Sequence, residues 1–297
     1  MDTSPKGIKL YLLGARPKTI PAAIAPVLVG TVIGVRPDSI SHLKAVNAIL
    51  ALLTSVFLQI SVNFANDYSD GVKGADKERV GPLRLVGSGL VPAKRVLLLA
   101  IAASFAAALC GLVLAILTSW WLILVGLLSI LAGFAYTGGP IPYGYKGFGE
   151  IFVLVFFGLV AVGGSAYVQS GSIHLSYVLC GLSIGLYAAA ILLANNLRDI
   201  KTDRLSKKIT LAVMLGDPIT RVTWFASLVV ANLLVVPISL IEKKPTELLS
   251  ILAFLVLIKP IKVIMAKGIG KDLIPVLQLT SLAELIFAML FSTGTFI

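Results

Sequence analysis

Residues 43–70 read LKAVNAILALLTSVFLQISVNFANDYSD, an apolar run of membrane-spanning length that ends in asparagines and aspartates. A helix needs about 20 consecutive apolar residues to cross the hydrocarbon core of a bilayer. The run therefore predicts a transmembrane helix whose last turns carry carboxylates at one membrane boundary. Similar apolar runs recur along the chain, so the stretch predicts an all-α membrane fold.

The composition of the chain excludes a soluble enzyme. Of its 297 residues, 58% are hydrophobic and 13% are charged, and the mean hydropathy is +0.98. Soluble domains are about 45–50% apolar and about 25% charged. The 25 Lys and Arg residues exceed the 14 Asp and Glu residues. In a membrane protein such an excess indicates orientation, and we expect no nucleic-acid partner.

Nine apolar windows follow one another along the chain. They lie near residues 18–36, 43–66, 95–117, 119–136, 149–169, 175–196, 220–240, 247–265 and 275–295. With nine spans, 21 of the 25 basic residues fall on the side that holds the N-terminus. The positive-inside rule then predicts a cytoplasmic N-terminus in a multi-pass protein of the cell membrane. We predict an all-α integral membrane protein with nine transmembrane helices around a central cavity, forming a single domain over residues 1–297.

Two of the predicted loops are longer than the others, and both lie on the cytoplasmic side. They cover about residues 67–94 and 197–219, and each opens with aspartates at the end of a predicted helix. A parallel repeat of this kind would place the two loops opposite each other over a central cavity. We therefore expect the active-site loops of the molecule here.

The spacing of these acids places each pair on one helix face. Asp67 and Asp70 are three positions apart, and Asp199 and Asp203 are four positions apart. Two like charges about 4 Å apart repel by about 4 kcal/mol at an effective dielectric of 20, so they need a counter-ion. Oxygen ligands of this kind suit Mg²⁺. The predicted catalytic residues are Asp67, Asp70, Asp199 and Asp203, and the predicted Mg²⁺ ligands are these four with Asn66 and Asp76.

Basic residues are interleaved with the acids in both loops. A diphosphate bridged by Mg²⁺ needs donors of this type, with Arg binding in a bidentate manner and Lys acting as a point charge. The alternative is the positive-inside bias, which we accept for Lys77, Arg204 and Lys207. The predicted diphosphate-binding residues are Lys73, Arg79, Arg84, Arg198, Lys201 and Lys208.

Four blocks of sequence resemble one protein family. They are ARPKTIPAAIAPVLVGT (residues 15–31), NDYSDGVKGADKERVGPLRLVGSGLVP (66–92), AYTGGPIPYGYKGFGE (135–150), and NNLRDIKTD (195–203) followed by KITLAV (208–213). Together they are similar to the UbiA superfamily of intramembrane prenyltransferases. Within it the likeness is to the branch, often called MenA, that prenylates 1,4-dihydroxy-2-naphthoate.

Two positions depart from the patterns of this superfamily. Gly74 stands where ubiquinone-type relatives carry a further aspartate, and the next acid is Asp76, as in the naphthoate branch. Lys207, Lys208 and Ile209 stand where Gly-Lys-Arg is usual. The second departure affects the phosphate contacts expected of this loop.

The resemblance implies a nine-helix enzyme that binds an all-trans polyprenyl diphosphate through Mg²⁺ between the two aspartate blocks. Ionisation of the diphosphate would give an allylic cation, which the aromatic acceptor attacks through carbon. With dihydroxynaphthoate the attacked carbon bears the carboxylate, so CO₂ leaves and demethylmenaquinone forms, in menaquinone biosynthesis. The expected partners are these two substrates and the lipid bilayer, with no obligate protein partner.

The predicted acceptor-binding residues lie around the same end of the bundle. They are Arg16, Asn63, Tyr136, Tyr143 and Asn195. Arg16 would pair with the naphthoate carboxylate, and its alternative is a positive-inside anchor. The tyrosines would stack on the acceptor or belong to an interfacial aromatic belt. Asparagines one turn inside the membrane are costly without a partner, which favours a place in the site.

Three other interpretations remain open. The acceptor of a UbiA-type enzyme could be 4-hydroxybenzoate, homogentisate, a chlorophyllide or haem. A transporter could use the acids as a cation path, but transporters place such groups near the midplane, and here they cluster at one interface. A lipid phosphotransferase of the CDP-alcohol type would need a DGxxAR block, which the sequence lacks. We assign no role to Glu284, an acid predicted deep in the last span.

Overall fold

The computed structural model describes residues 7–35, 41–74 and 83–297, which fold into helices and connecting turns without a β-strand. We number the helices α1 to α10 along the chain. Their bounds are α1 Ile8–Ala15, α2 Pro21–Gly34, α3 His42–Val72, α4 Ala93–Leu117, α5 Leu122–Ala135, α6 Gly149–Ser170, α7 Leu175–Leu205, α8 Leu211–Glu242, α9 Pro245–Met265 and α10 Gly270–Phe296. The predicted all-α membrane fold is confirmed.

The count of nine spans is not confirmed. Among the described residues, seven helices are long and apolar enough to cross a membrane, namely α3, α4 and α6 to α10. An eighth span results if residues 8–19 and α2, which meet at a bend of 49°, cross as one broken helix. The window 119–136 holds α5, whose 14 residues extend only about 21 Å, less than the hydrocarbon core of about 30 Å.

The two long loops predicted from the sequence are shorter in the structure, because their flanking helices continue into them. α3 runs to Val72 and α7 runs to Leu205, so both aspartate pairs lie on helices. α8 begins at Leu211, with Thr210 as its N-terminal cap, and breaks at Gly216, where φ is 77° and ψ is 168°.

α7 is the most deeply buried span and lies at the centre of the bundle. It packs against α6, α8 and α10, while α3 packs against α4, and α2 against α6 and α10. The main hydrophobic core lies around α7 and includes Ile184, Leu193, Trp224, Leu257 and Phe287. A second core joins α1, α3 and α4. The segment 154–160 of α6 is π-helical rather than α-helical.

Two acids are buried within the spans, away from the helix ends that carry the aspartate pairs. Glu247 and Glu284 are both fully buried, and Thr295 donates a hydrogen bond of 3.1 Å to Glu247 Oε1. Glu284 lies in the middle of α10, as the sequence predicts. No hydrogen-bond partner for either of its oxygens occurs among the described residues.

Glycines allow the closest helix contacts. A Cβ atom added at Gly158 of α6 would overlap the carbonyl oxygen of Gly181 and would lie 2.7 Å from the Cα of Gly185, both on α7. A Cβ added at Gly30 of α2 would overlap the carbonyl oxygen of Val162. Small residues are the usual means by which membrane helices bring their backbones together. α7 therefore reaches its central position through contacts that no larger side chain permits.

The Gly158→Leu variant should be destabilised, because the leucine has no space between α6 and α7. Overpacking a well-packed interface costs about 1–3 kcal/mol or more. The measurement is thermal unfolding of the purified protein in detergent. Gly163→Leu is the matched control on the same helix, since no atom lies within 4 Å of the Cβ position at Gly163. Equal melting temperatures for the two variants would contradict this packing.

Candidate functional site

The C-terminal ends of α3 and α7 bring the two aspartate pairs to the same end of the bundle. Asp67, Asp70, Asp199 and Asp203 are all buried. The side chain of Tyr145 contacts both halves: its hydroxyl donates to Asp70 Oδ1 at 2.8 Å, and Lys208 Nζ lies 5.3 Å from its ring centre. Lys208 in turn lies 3.9 Å from Asp203 Oδ1.

Each half of the site matches its carboxylates with positive groups. At the end of α3, Asp70 Oδ2 lies 3.8 Å from Nη2 of Arg84, which belongs to the segment 83–92. On α7, the guanidinium of Arg198 donates two hydrogen bonds to Asp199, from Nε at 2.7 Å and from Nη2 at 2.6 Å. The charge-assisted bidentate pair is strong and geometrically specific. These pairs compensate the buried charges.

The asparagines on the preceding turns bind protein groups. Asn66 Oδ1 accepts a hydrogen bond of 2.9 Å from Thr137, and Asn195 Oδ1 accepts one of 2.8 Å from Arg198. Asn63 donates through Nδ2 to the carbonyl of Ala15 and to the hydroxyl of Thr19, both at 2.9 Å. Asn63 thus ties α3 to the end of α1, and all three asparagines line the cavity described below.

The connection between α5 and α6 covers the site and holds the two helix ends together. Lys73 Nζ donates to the carbonyl of Thr137 at 2.6 Å. The backbone N–H of Ile209, beyond α7, donates to the carbonyl of Tyr145 at 3.2 Å. Residues 136–150 therefore contact both aspartate helices.

A cavity of about 360 Å³ opens at this end and continues into the bundle. One face of α3 lines it over about 28 Å of helix, close to the thickness of the hydrocarbon core. The α3 residues on this face are Ala51, Thr54, Ser55, Leu58, Gln59, Val62, Asn63, Asn66 and Asp70. The charged lining residues are those near the aspartates, namely Arg16, Asp70, Arg84 and Lys208. The wall from α5 and α6 is mostly apolar, with Ser129 and Ser165 as its hydroxyl groups. The cavity therefore combines a charged head with a long apolar groove.

Aromatic rings form one wall of the cavity near its head. Tyr143 stacks on Phe152 with ring centres 3.9 Å apart, and Tyr136 lies 5.4 Å from Tyr143. Burial raises the pKa of the Tyr143 phenol. Burial and the nearby carboxylates of Glu150 and Asp70 raise the pKa of Tyr136 well above its usual value. Both phenols therefore stay protonated at physiological pH, and the Tyr143 hydroxyl donates to the carbonyl of Ala132 at 2.9 Å.

Arg16 lies at the head of the cavity, between α1 and α2. Its backbone adopts the left-handed conformation with φ of 53°. The Nη2 atom is buried and has no hydrogen-bond partner among the residues that the structure describes. A buried guanidinium nitrogen without a partner is costly, so this atom is available to an anionic ligand.

The site contains most of the residues predicted from the sequence. Of these, Arg84, Tyr136, Tyr143 and Lys208 line the cavity together with Arg16, Asp70 and the three asparagines. Lys201 is exposed and does not line the cavity, and Lys73 is exposed on the loop side. Asp76 and Arg79 lie outside the described residues. Four buried residues of the predicted set do not line the cavity, namely Asp67, Arg198, Asp199 and Asp203.

Sequence reasoning missed four side chains of the site. Tyr145 and Thr137 contact Asp70 and Asn66, as described above. Asn196 donates a hydrogen bond of 2.8 Å to Glu150 Oε1, and both residues are buried beside the site. Three of the four lie in the block 135–150. In this block the sequence offered one indication of a site residue, namely Glu150, an acid in the first turn of an otherwise apolar helix.

A metal site is not preformed by side chains alone. Among residues 7–35, 41–74 and 83–297, no three His, Cys, Asp or Glu side chains lie close enough together to hold an ion. The side-chain oxygens of Asn66 and Asp70 on α3, and of Asp199 and Asp203 on α7, form two separate groups at this end of the bundle. An ion between these groups would need further oxygen ligands from a bound substrate.

Comparison with known proteins agrees with this geometry. The model of the UbiA prenyltransferase family matches residues 23–272. The chain is 44% identical to the 1,4-dihydroxy-2-naphthoate octaprenyltransferase of Mycobacterium tuberculosis, over 94% of each chain. It is 36% identical to the protein of the same name from Escherichia coli, over 97% of this chain and 95% of that protein.

The fold is also similar to that of a solved structure. A UbiA homolog from Archaeoglobus fulgidus, bound to GPP and Mg²⁺, matches with a TM-score of 0.64 over 95% of this chain and 99% of its own, at 16% sequence identity. Because a family match covers most of the length and the sequence likeness extends over nearly the whole chain, the protein belongs to the UbiA prenyltransferase family.

Proposed function

We propose that the protein transfers an all-trans polyprenyl group from its diphosphate to 1,4-dihydroxy-2-naphthoate, with loss of CO₂ and diphosphate, giving demethylmenaquinol. The proposal rests on the cavity. Its charged head lies at the ends of the two aspartate-bearing helices, α3 and α7, and a long apolar groove continues from it into the bundle. A polyprenyl diphosphate has the same division into a charged head and an apolar chain. The names of the two bacterial relatives support the naphthoate acceptor.

The donor set at the cavity head fits Mg²⁺. This ion binds through one or two carboxylates together with substrate phosphates, which agrees with two separate groups of oxygens. Asn66 and Asp70 on α3, and Asp199 and Asp203 on α7, would hold the ion with the diphosphate between them. When bound, the ion supplies charge neutralisation to the leaving diphosphate. The homolog from Archaeoglobus fulgidus, solved with GPP and Mg²⁺, supports this assignment.

The basic residues already paired with the carboxylates would change partners when the substrate binds. Arg84, Arg198 and Lys208 each lie within 4 Å of an aspartate oxygen. With the carboxylates bound to the metal, these cations are free to donate to the diphosphate oxygens and stabilise the charge that develops as the C–O bond breaks.

The aromatic wall would stabilise the allylic cation that the departing diphosphate leaves behind. Ring faces attract cations, by about 2 kcal/mol or more in a site from which water is excluded. Tyr143 and Phe152 lie beside the cavity head and are suited to this role. The apolar surroundings also keep water from the cation, which would otherwise be hydrolysed.

Arg16 is the side chain best suited to bind the carboxylate of the acceptor. Its Nη2 atom has no partner among the described residues, and Arg16 lines the same cavity as Tyr136 and Tyr143. A guanidinium binds a carboxylate through two parallel hydrogen bonds. The basic residues concentrated on this side favour a cytoplasmic location for the cavity head in the cell membrane.

Purified protein in lipid nanodiscs, supplied with Mg²⁺, a polyprenyl diphosphate and dihydroxynaphthoate, should form a prenylated naphthohydroquinone and release CO₂. Oxygen in air then oxidises this product to the quinone that is detected. A parallel reaction contains 4-hydroxybenzoate instead. Product from hydroxybenzoate alone would overturn the acceptor assignment while leaving the metal site and the fold in place. Added EDTA should stop the reaction, and Mg²⁺ in excess should restore it.

Asp70→Asn should lower turnover about 10²–10³-fold, because the variant loses a charged ligand where the leaving group develops charge. The measurement is the initial rate at saturating substrates, together with the Mg²⁺ concentration that gives half the maximal rate. Asp272→Asn serves as the control, since Asp272 is exposed and lies outside the cavity lining. Wild-type rates in Asp70→Asn would exclude the proposed metal site.

Arg16→Gln should raise the KM for dihydroxynaphthoate about ten- to hundredfold, the usual effect of removing a hydrogen bond to a charged group. The KM for the prenyl diphosphate should stay unchanged. The KM of Arg16→Lys for dihydroxynaphthoate should lie between those of the wild type and Arg16→Gln, because lysine keeps the charge without the bidentate geometry. The exposed Arg204 provides the control variant Arg204→Gln. An equal rise in both KM values would assign Arg16 to the diphosphate instead.

Gly164→Leu should shorten the apolar groove. Gly164 lines the cavity about 20 Å along α6 from the site, and no atom lies within 4 Å of its Cβ position. We expect kcat/KM for a long polyprenyl diphosphate to fall about tenfold or more, with dimethylallyl diphosphate unaffected. The neighbouring Gly163 does not line the cavity, so Gly163→Leu is the matched control. An equal fall in kcat/KM with both diphosphates would show that the prenyl chain does not pass Gly164.

A further inference from the structure

The side chain of Asp67 faces a loop rather than the cavity. Its carboxylate is fully buried, and both oxygens accept hydrogen bonds from consecutive backbone N–H groups. Leu85 donates to Oδ2 and Val86 donates to Oδ1, each at 2.9 Å. Asp70, one turn further along the same helix, is the residue that lines the cavity.

The segment 83–92, which we call the docking loop, is seated on α3 by these two bonds and by side-chain packing. Leu85 is fully buried in the second core, beside Leu10, Phe64 and Val96. The loop closes on itself through a hydrogen bond of 3.1 Å from the N–H of Val91 to the carbonyl of Leu85. The loop is therefore fixed in one position relative to α3.

The residue that precedes Leu85 is Arg84, and its side chain enters the site. Arg84 is buried, lines the cavity and lies 3.8 Å from Asp70. Its backbone is one peptide bond from the N–H that Asp67 holds. The hydrogen bonds to Asp67 fix the backbone beside Arg84, and this restricts the positions that its guanidinium can reach. A fixed backbone also lowers the conformational entropy that is lost when the guanidinium binds a ligand.

We propose that Asp67 is a positioning residue, which holds the docking loop so that Arg84 faces the diphosphate. The inference rests on the proposed function for the ligand of Arg84, but the anchoring of the loop stands on its own. Two N–H donors in a buried site require two acceptor oxygens, and a carboxylate supplies both. An asparagine supplies one acceptor and sets its own NH₂ group against the other N–H.

Hydrogen exchange of the backbone amides tests the anchor without any substrate. In the purified full chain in nanodiscs, Asp67→Asn should make exchange across residues 83–92 about ten- to hundredfold faster, because a charge-assisted hydrogen bond is lost. Asp272→Asn is the control and should leave exchange in this loop unchanged, because Asp272 is exposed and lies outside the cavity lining. Wild-type exchange in Asp67→Asn would overturn the proposal.

Kinetics then test whether the anchor acts through Arg84. Asp67→Asn and Arg84→Gln should each raise the KM for the prenyl diphosphate, and the double variant should be no worse than Arg84→Gln alone. Multiplied effects would instead assign Asp67 an independent role, such as a metal ligand. Leu85→Ala loosens the loop with Asp67 intact, so it should reproduce both the faster exchange and the raised KM even if Asp67→Asn fails to fold.

The hydrogen-exchange test does not depend on the acceptor, because it is made without substrate. A protein that prenylates another acceptor would therefore show the same faster exchange of the docking loop in Asp67→Asn. Absence of the naphthoate reaction in the unaltered protein, together with faster loop exchange in Asp67→Asn, would thus refute the proposed function and retain the anchor. Normal prenyl transfer to dihydroxynaphthoate with unchanged loop exchange would retain the function and refute the anchor.

Discussion

Four carboxylates are buried at one end of a membrane bundle, and each has to be compensated where it stands. An isolated buried charge is too costly to persist in an apolar interior. The molecule meets this requirement with a different partner for every acid: backbone N–H groups for Asp67, a phenol and a guanidinium for Asp70, a neighbouring arginine for Asp199 and a lysine for Asp203. The turns between the helices are built around these partners.

The same requirement explains how the connecting segments are arranged. The segment 136–150 has little regular structure, yet it supplies Thr137 and Tyr145 to the asparagine and aspartate of α3. The segment after α7 supplies Lys208. Irregular backbone at the edge of a membrane is stable when its polar groups are bound by protein, which here is the site itself. The charged head and the structure that covers it therefore form together.

The sequence predicts the spans well because hydrophobicity is a local property, and every predicted apolar window contains a helix. The number of crossings was harder to predict. Apolar composition does not reveal that α5 has only 14 residues or that the chain bends by 49° before α2. These features depend on neighbouring helices rather than on the windows themselves.

The candidate site was predictable in part for the same reason. The spacing of acids on a helix predicts that Asp67 and Asp70 share one helix face and that Asp199 and Asp203 share another, whichever way the loops fold. It does not distinguish Asp67 from Asp70, because only the folded docking loop gives their oxygens different partners. Tyr145, Asn196 and Glu150 were missed because their contacts join segments far apart in the chain.

The π-helical segment Leu154–Val160 has a consequence for how the length of α6 can change. A π turn holds one residue more than an α turn, so such a segment corresponds to a one-residue insertion in a regular helix. Removal of one residue there would restore α geometry and rotate one half of the helix against the other by about 100°. Phe152 and Gly164, which line the cavity on either side of the segment, would no longer share a face. Deletions in this helix are therefore expected to be selected against even where its hydrophobicity is preserved.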